Sequence, residues 1–164
     1  TVEFWPEEGK YHFSGPRACK VSLGPKESLK LNNVCPKCNK GVTVGVAQRV
    51  EELADRPEDE KRKIQNSSHL IPLSELIAVS IGKGVTTKAV WDEYNKLIAK
   101  FDSEFNILLD VPEDQLEGVT TKTIASLIIR NRQGKIKVKP GYDGVYGEIM
   151  FKDEPEQKGL REFI

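Results

Sequence analysis

All three cysteines of this 164-residue chain, Cys19, Cys35 and Cys38, fall between Lys10 and Val42, and His12, one of two histidines, lies just upstream. No other feature limits the fold as much. A structural zinc ion takes four soft or borderline ligands in a tetrahedron. In Cys35-Pro36-Lys37-Cys38-Asn39-Lys40-Gly41 a Cys-x-x-Cys turn supplies two thiolates from one bend. Proline presets such a turn, and Gly41 accepts a left-handed backbone. Cys19 precedes it at a spacing common for the two halves of a zinc ribbon. His12 is taken as the fourth ligand. Four protein ligands leave no open position, so the site is structural. The competing reading is a redox Cys-x-x-Cys beside a free Cys19, or no metal. Redox motifs usually open a helix after an apolar strand, whereas polar Asn39-Lys40-Gly41 follows here.

The length suits one domain, or two small ones sharing a core. Apolar residues make up 38% and charged residues 30%, with a formal net charge of zero. Any nucleic-acid surface must therefore come from local segregation of charge. No apolar run is long enough to span a membrane, and no signal peptide is present. Metal explains the cysteines better than disulfides, which places the chain in a reducing compartment, most simply the cytoplasm. It begins at Thr1 without a Met, as an excised piece or a processed chain would.

In order, Val2–Trp5 and Tyr11–Phe13 read as short strands around a Pro6-Glu7-Glu8-Gly9 turn, and Val42–Val46 as a ribbon strand. A helix starts near Ala47, with Val50 and Leu53 on one face, and stops before Pro57. Residues 58–68 are almost wholly polar and read as a linker. His69, read as a capping or packing histidine, opens the second part. Pro72 starts a helix through Leu73, Leu76 and Ile77. Gly82-Lys83-Gly84 breaks it. Thr86 or Thr87 caps a core helix carrying Val90, Trp91, Tyr94, Leu97, Ile98 and Phe101. The break is a plain αα-turn or a helix-hairpin-helix, in which Lys83, Lys88 and a helix N-terminus would face a phosphate. Glu104–Val111 stays ambiguous between strand and buried segment. Pro112 opens a short helical turn. Thr120 or Thr121 caps the last helix, which Gly134 stops. Lys135–Lys139 alternates as a half-buried strand and pairs with Glu148–Phe151 across an Asp143-Gly144 turn. No internal repeats are visible.

A serine elbow, a phosphate-binding loop and a histidine cluster are all missing from the sequence, so the segment is expected to have no active site of its own. Basic residues do segregate. Arg130, Arg132, Lys135, Lys137 and Lys139 adjoin Tyr142 and Tyr146. Phosphate neutralisation beside stacking rings is what a nucleic-acid strand needs. The plain alternative is a solvated strand face with tyrosines packed in a turn. The tail carries Gln157, Leu160, Phe163 and Ile164 at the spacing of a sliding-clamp-binding peptide, after an acidic linker. A frayed terminus is its alternative.

Five stretches together resemble one family: F-W-P-E-E-G-K-Y-H from Phe4, V-C-P-K-C from Val34, V-G-V-A-Q-R-V-E-E-L-A-D-R-P from Val44, I-P-L-S-E-L-I-A from Ile71 and P-G-Y-D-G-V-Y-G from Pro140. Their order and content are similar to the C-terminal portion of endonuclease Q-type DNA-repair nucleases. The resemblance implies an upstream catalytic domain of the PHP phosphoesterase superfamily, which is absent here. It also implies a zinc-binding insert, a helical region, a clamp-binding tail in archaeal members, and nicking of DNA 5′ of deaminated bases such as uracil and hypoxanthine. Two positions depart from the family pattern. Gln48 stands where a histidine is expected before Arg49, and Pro16 stands where histidine is frequent beside Arg17.

These readings combine into an α+β protein, a small zinc-ribbon-like subdomain packed on a helical domain closed by a C-terminal β-hairpin. The expected organisation is a zinc-binding subdomain at 1–57, a linker at 58–68, the helical domain at 69–152 and the tail at 153–164. The expected role is DNA binding and damage recognition for a metal-dependent endonuclease. The alternatives are a zinc-stabilised protein-interaction module that docks a clamp or nuclease, and a standalone metal-dependent hydrolase.

Overall fold

Apolar side chains recur at helical spacing from residue 73 onward, and helices form there. In a computed structural model of the chain, residues 1–56 and 67–150 are described. The 58–68 linker lies mostly outside the described residues, and the 153–164 tail lies wholly outside them.

Strand β1 (Val2–Glu3) pairs in parallel with β2 (Ser68–His69). Between them come two 3₁₀ turns, Pro6–Glu8 and Arg17–Cys19, and two helices, α1 (Pro25–Lys30) and α2 (Val46–Leu53). Five helices follow: α3 (Leu73–Ile81), α4 (Lys88–Phe101), α5 (Glu104–Leu109), α6 (Glu113–Glu117) and α7 (Lys122–Arg132). The antiparallel hairpin of β3 (Lys137–Lys139) and β4 (Glu148–Met150) closes the described chain.

Local chemistry accounts for these boundaries. Pro72 precedes α3, and Gly82 ends it in a left-handed conformation with φ 64°, which glycine adopts without strain. The Ser103 and Thr121 side chains accept from the N–H groups of Asn106 and Ile124, capping α5 and α7. The segment left ambiguous, Glu104–Val111, is helical because this cap fixes its start and Ile107 and Leu108 bury one face. Glu104 also bridges three elements: it accepts from the Leu73 N–H and from the Tyr94 hydroxyl, both at 2.8 Å.

Helix α3 packs on α4 and α7, and α5 on α4 and α7. Their shared core includes Ile71, Leu76, Ile77, Leu97, Ile107 and Ile128, all fully buried. Trp91 departs from the expected core face: it is exposed and meets Tyr94 edge-on at 5.0 Å. A second, smaller cluster joins Val21, Leu23 and Cys35. The expected 42–46 strand is reduced to one bridge between Thr43 and Gly15, because α2 begins at Val46.

One expectation needs correction. Gly84-Val85-Thr86-Thr87-Lys88 recurs as Gly118-Val119-Thr120-Thr121-Lys122, so the chain does hold an internal repeat. In both copies the second threonine is the N-cap of a long helix, and the following apolar position, Val90 or Ile124, is buried. The two copies differ in charge. Lys83 precedes the first, whereas the short helix before the second carries Glu113, Asp114 and Glu117.

Candidate functional site

The first constellation is the cysteine cluster. Small β-bridges, Ser14 with Leu23 and Val34 with Gly41, each close a loop carrying cysteine. These loops bring the sulfurs of Cys19, Cys35 and Cys38 within 4.8 Å of one another. Tetrahedral zinc with bonds near 2.3 Å needs sulfurs just under about 4 Å apart, a spacing that lies within the cluster's bound of 4.8 Å. The Lys37 N–H donates to Cys35 Sγ at 3.4 Å, and Lys37 Nζ donates to the Cys19 carbonyl at 3.2 Å. Both place positive charge density beside the sulfurs. The three cysteines can hold a metal ion. His12 does not stand in that group; its ring stacks on Phe13 at 5.2 Å.

Gln48 is buried and structural. Ser14 Oγ donates to Gln48 Oε1 at 3.0 Å and accepts from the Gly45 N–H at 3.0 Å, and Gln48 Nε2 reaches Glu52. The amide thus ties α2 to the first cysteine loop. His69 packs as expected, tilted on Trp5 at 5.2 Å and 3.5 Å from Glu3.

The second constellation was not legible in the sequence. A cleft of about 980 Å³ lies among Phe4, Trp5, Glu8, Glu75, Lys83 and Tyr146. It joins two of the expected DNA contacts, Lys83 and Tyr146. Phe4 is 70% and Tyr146 67% exposed, so both rings are free to stack. Lys10 Nζ lies 5.7 Å from the Tyr146 ring centroid and 5.6 Å from that of Tyr11. Burial, then the charges of Glu75 and Glu7, push the Glu8 carboxyl up to about 7. Burial also raises Glu75. Trp5 Nε1 and Glu8 Oε1 are buried with no hydrogen-bond partner among the described residues. The cleft thus offers two open rings, a cation and unmatched polar atoms.

The remaining expected contacts divide by what they touch. Lys135 and Lys137 are exposed on and beside β3. Lys139 pairs with Glu148 across the hairpin at 3.3 Å, and Lys88 pairs with Asp92 at 2.7 Å. Arg130 is half-buried. Arg132 is engaged: Nε donates to the Leu108 carbonyl at 3.0 Å, and Nη2 donates to Ile107 and Val111 at 3.1 and 2.8 Å. Its guanidinium caps the C-terminal end of α5. Tyr142 lies against Gly15, where an added Cβ would meet its ring at 3.1 Å, and its backbone bridges to Phe13. Gln157, Leu160, Phe163 and Ile164 fall outside the described residues. Among the described residues no helix is long and apolar enough to cross a membrane.

Known proteins resemble the chain in sequence and in fold. Residues 72–135 match the family model of the MJ0043 C-terminal domain. Over 91% of its length the chain is 37% identical to the uncharacterized protein MJ0043 of Methanocaldococcus jannaschii, of which it spans 19%. Over 88% it is 30% identical to the uncharacterized protein YqxK of Bacillus subtilis, of which it spans 33%. The lesion-specific endonuclease PfuEndoQ of Pyrococcus furiosus superposes on 99% of the chain with TM-score 0.79 at 31% identity; the chain covers 40% of it. Endonuclease Q in complex with a 27-mer duplex bearing an abasic lesion gives TM-score 0.77 at 31% identity, with 41% of that chain covered. In sequence and in fold, the chain therefore resembles the C-terminal portion of endonuclease Q-type DNA-repair nucleases.

Proposed function

We propose that this chain is the DNA-engaging portion of a lesion-specific repair endonuclease whose catalytic domain, of the PHP type, lies elsewhere in the same polypeptide. The observation that carries the reading is the match along 99% of the chain to an endonuclease Q held on a damaged duplex. Charge and shape support it. The lysines at 135 and 137 offer cations to phosphates, and the cleft beside Tyr146 offers rings to an unstacked base. Deaminated and abasic nucleotides are the substrates this role implies. The cysteine cluster holds zinc, which shapes the subdomain, and three cysteines without a disulfide among them suit a reducing cytoplasm.

Fluorescence anisotropy tests the proposal with abasic-site and intact duplexes of one sequence. Lys135→Glu with Lys137→Glu should weaken both duplexes alike and flatten the salt dependence by about 0.9 in log–log slope for each phosphate no longer neutralised. Tyr146→Ala should weaken only the damaged duplex, by roughly 1–3 kcal/mol. Binding that ignores both salt and these substitutions would refute the DNA reading. It would leave the protein-docking alternative, which the exposed stripe of Val46, Val50 and Leu53 on α2 favours.

We further propose that Gln157, Leu160, Phe163 and Ile164 form a sliding-clamp-binding peptide. Calorimetry of a 157–164 peptide against the host clamp should give weak binding that Leu160→Ala with Phe163→Ala removes. Absence of heat up to the millimolar range would end that proposal.

A further inference from the structure

The two cysteine loops are built alike, and one of them lacks a ligand. In the second loop the turn runs Cys35-Pro36-Lys37-Cys38, and Asn39 after it is left-handed with φ 55°. The first turn runs Pro16-Arg17-Ala18-Cys19, and Lys20 after it is left-handed with φ 52°. Each turn closes on the carbonyl of its first residue: Pro16 accepts from the Cys19 N–H at 3.1 Å, and Cys35 accepts from the Asn39 N–H at 2.9 Å. A β-bridge also frames each turn, Ser14–Leu23 more widely around the first and Val34–Gly41 around the second. Cys19 therefore corresponds to Cys38, and Pro16 corresponds to Cys35. Proline has no side-chain donor atom. The four-ligand set of a paired-loop site is short by one at this position, and neither His12 nor any acidic side chain joins the thiols within ligand distance among the described residues.

We infer that the metal centre of this chain has three thiolate ligands and a fourth coordination position open to exchange. Water fills it at rest, and an imidazole or thiolate from outside displaces that water. The inference rests on the proposal that the cluster binds zinc. It departs from the closed, four-ligand structural site expected from the sequence. Cys35 is fully buried, whereas Cys38 is exposed at the surface.

Anaerobic cobalt substitution of the whole chain tests this without reference to activity. Cobalt takes the tetrahedral site of zinc, and its visible bands report each ligand. In the wild type, added imidazole should shift those bands saturably. His12→Ala should leave the spectrum unchanged. Pro16→Cys should bind zinc ~10-fold or more tightly in chelator competition, the scale on which even outer-shell partners act, and its bands should ignore imidazole. A wild-type spectrum insensitive to imidazole, or one altered by His12→Ala, would show a protein side chain already at the fourth position and overturn the inference. Failure of both wild type and Pro16→Cys to bind cobalt or zinc would instead remove the metal reading itself, and this inference with it. The wild-type titration needs no variant to fold.

Discussion

Arg132 separates a structural cation from a DNA-binding one, and its energetic weight follows from the structure. Helix α5 has only six residues and ends at Leu109. The last four carbonyls of any α-helix lack intrahelical partners. Here the Asn106 carbonyl is taken by the Asp110 and Val111 N–H groups, whereas Ile107 and Leu108 are met by Arg132, which also holds Val111. Ile107, Leu108 and Val111 are buried, so water is a poor substitute. A hydrogen bond with one charged partner is worth about 1.5–3 kcal/mol when buried, and less at a half-exposed group. Three bonds from one half-buried guanidinium, counted as less than additive, give about 3 kcal/mol. Arg132→Ala should therefore lower the urea-unfolding free energy by about that much and the Tm by roughly 6–12 °C. Arg132→Lys should recover about 1 kcal/mol, because an ammonium has no planar fork to reach three carbonyls. DNA affinity of the still-folded Arg132→Ala protein should equal that of the wild type. The reasoning fails if Arg132→Ala costs under about 1 kcal/mol and DNA affinity drops.

Two further outcomes follow from the sites. The Glu8 carboxyl sits near 7 in the folded protein, above its ordinary value of 4.5. The folded state thus binds more protons than the unfolded one between those values, so stability falls as pH rises from about 4.5 to 7 and then levels. Discounted for half-exposure, the change is about 1–2 kcal/mol, and urea midpoints for Glu8→Gln should lose it. Elemental analysis should find about one zinc per chain, and Cys35→Ser should abolish it and unfold the region around Val21 and Leu23, because metal affinity in such small subdomains is folding energy. Metal-free wild type purified without chelator would contradict that.

The readability of the chain tracks how local each determinant is. Helices α3, α4 and α7 were legible because their apolar positions and their start signals, Pro72, Thr87 and Thr121, lie within one segment, with Gly82 and Gly134 marking two of the ends. The cysteine loops were legible for the same reason. Helix α1 was not: it buries only Ser28, so no apolar stripe announces it. Strand β1 lies inside the expected Val2–Trp5 strand, but two-residue β2 is too short for a period, and their pairing spans the polar segment. The sequence showed the charge of Arg132 but not its reach across to α5. Asn131, buried and bonded both ways to the Ile71 backbone, reads in sequence as one more polar residue near a helix end. The cleft draws on three distant segments, so no local signal marks it. The repeated Gly-Val-Thr-Thr-Lys was in plain view, and comparing helix-start segments with one another would have found it.

The motifs that carry the family resemblance turn out to grip each other. The Pro140–Gly147 stretch and the loop after Phe4 exchange backbone bonds: the Gly141 N–H donates to Glu7 at 2.8 Å, Gly144 to Lys10 at 2.9 Å, and Gly147 to Glu8 at 3.0 Å. Asp143 then reaches both cysteine loops, accepting from the Thr43 hydroxyl just after the second and from the Arg17 N–H in the first, both at 2.6 Å, and these bonds hold its carboxyl below the usual range. The contact requires glycine. A Cβ at Gly147 would lie 2.3 Å from the Glu7 carbonyl and 2.8 Å from Glu8 Cα, and at Gly141 it would lie 2.5 Å from the Gly9 carbonyl. These are backbone atoms, which cannot rotate aside. Overpacking of this kind costs typically about 1–3 kcal/mol, and more where nothing can yield. Gly147→Ala should therefore cost about 3 kcal/mol in urea unfolding. Hydrogen exchange at Gly141, Gly144 and Gly147 should quicken together, since one opening frees all three. It should also displace Glu8 and Tyr146 and so weaken abasic-duplex binding in the folded protein, while Lys135 and Lys137 keep the binding of intact duplex. A Gly147→Ala protein with wild-type stability and unchanged exchange would show that the clasp yields, and that the Pro140–Gly147 motif serves something other than this packing.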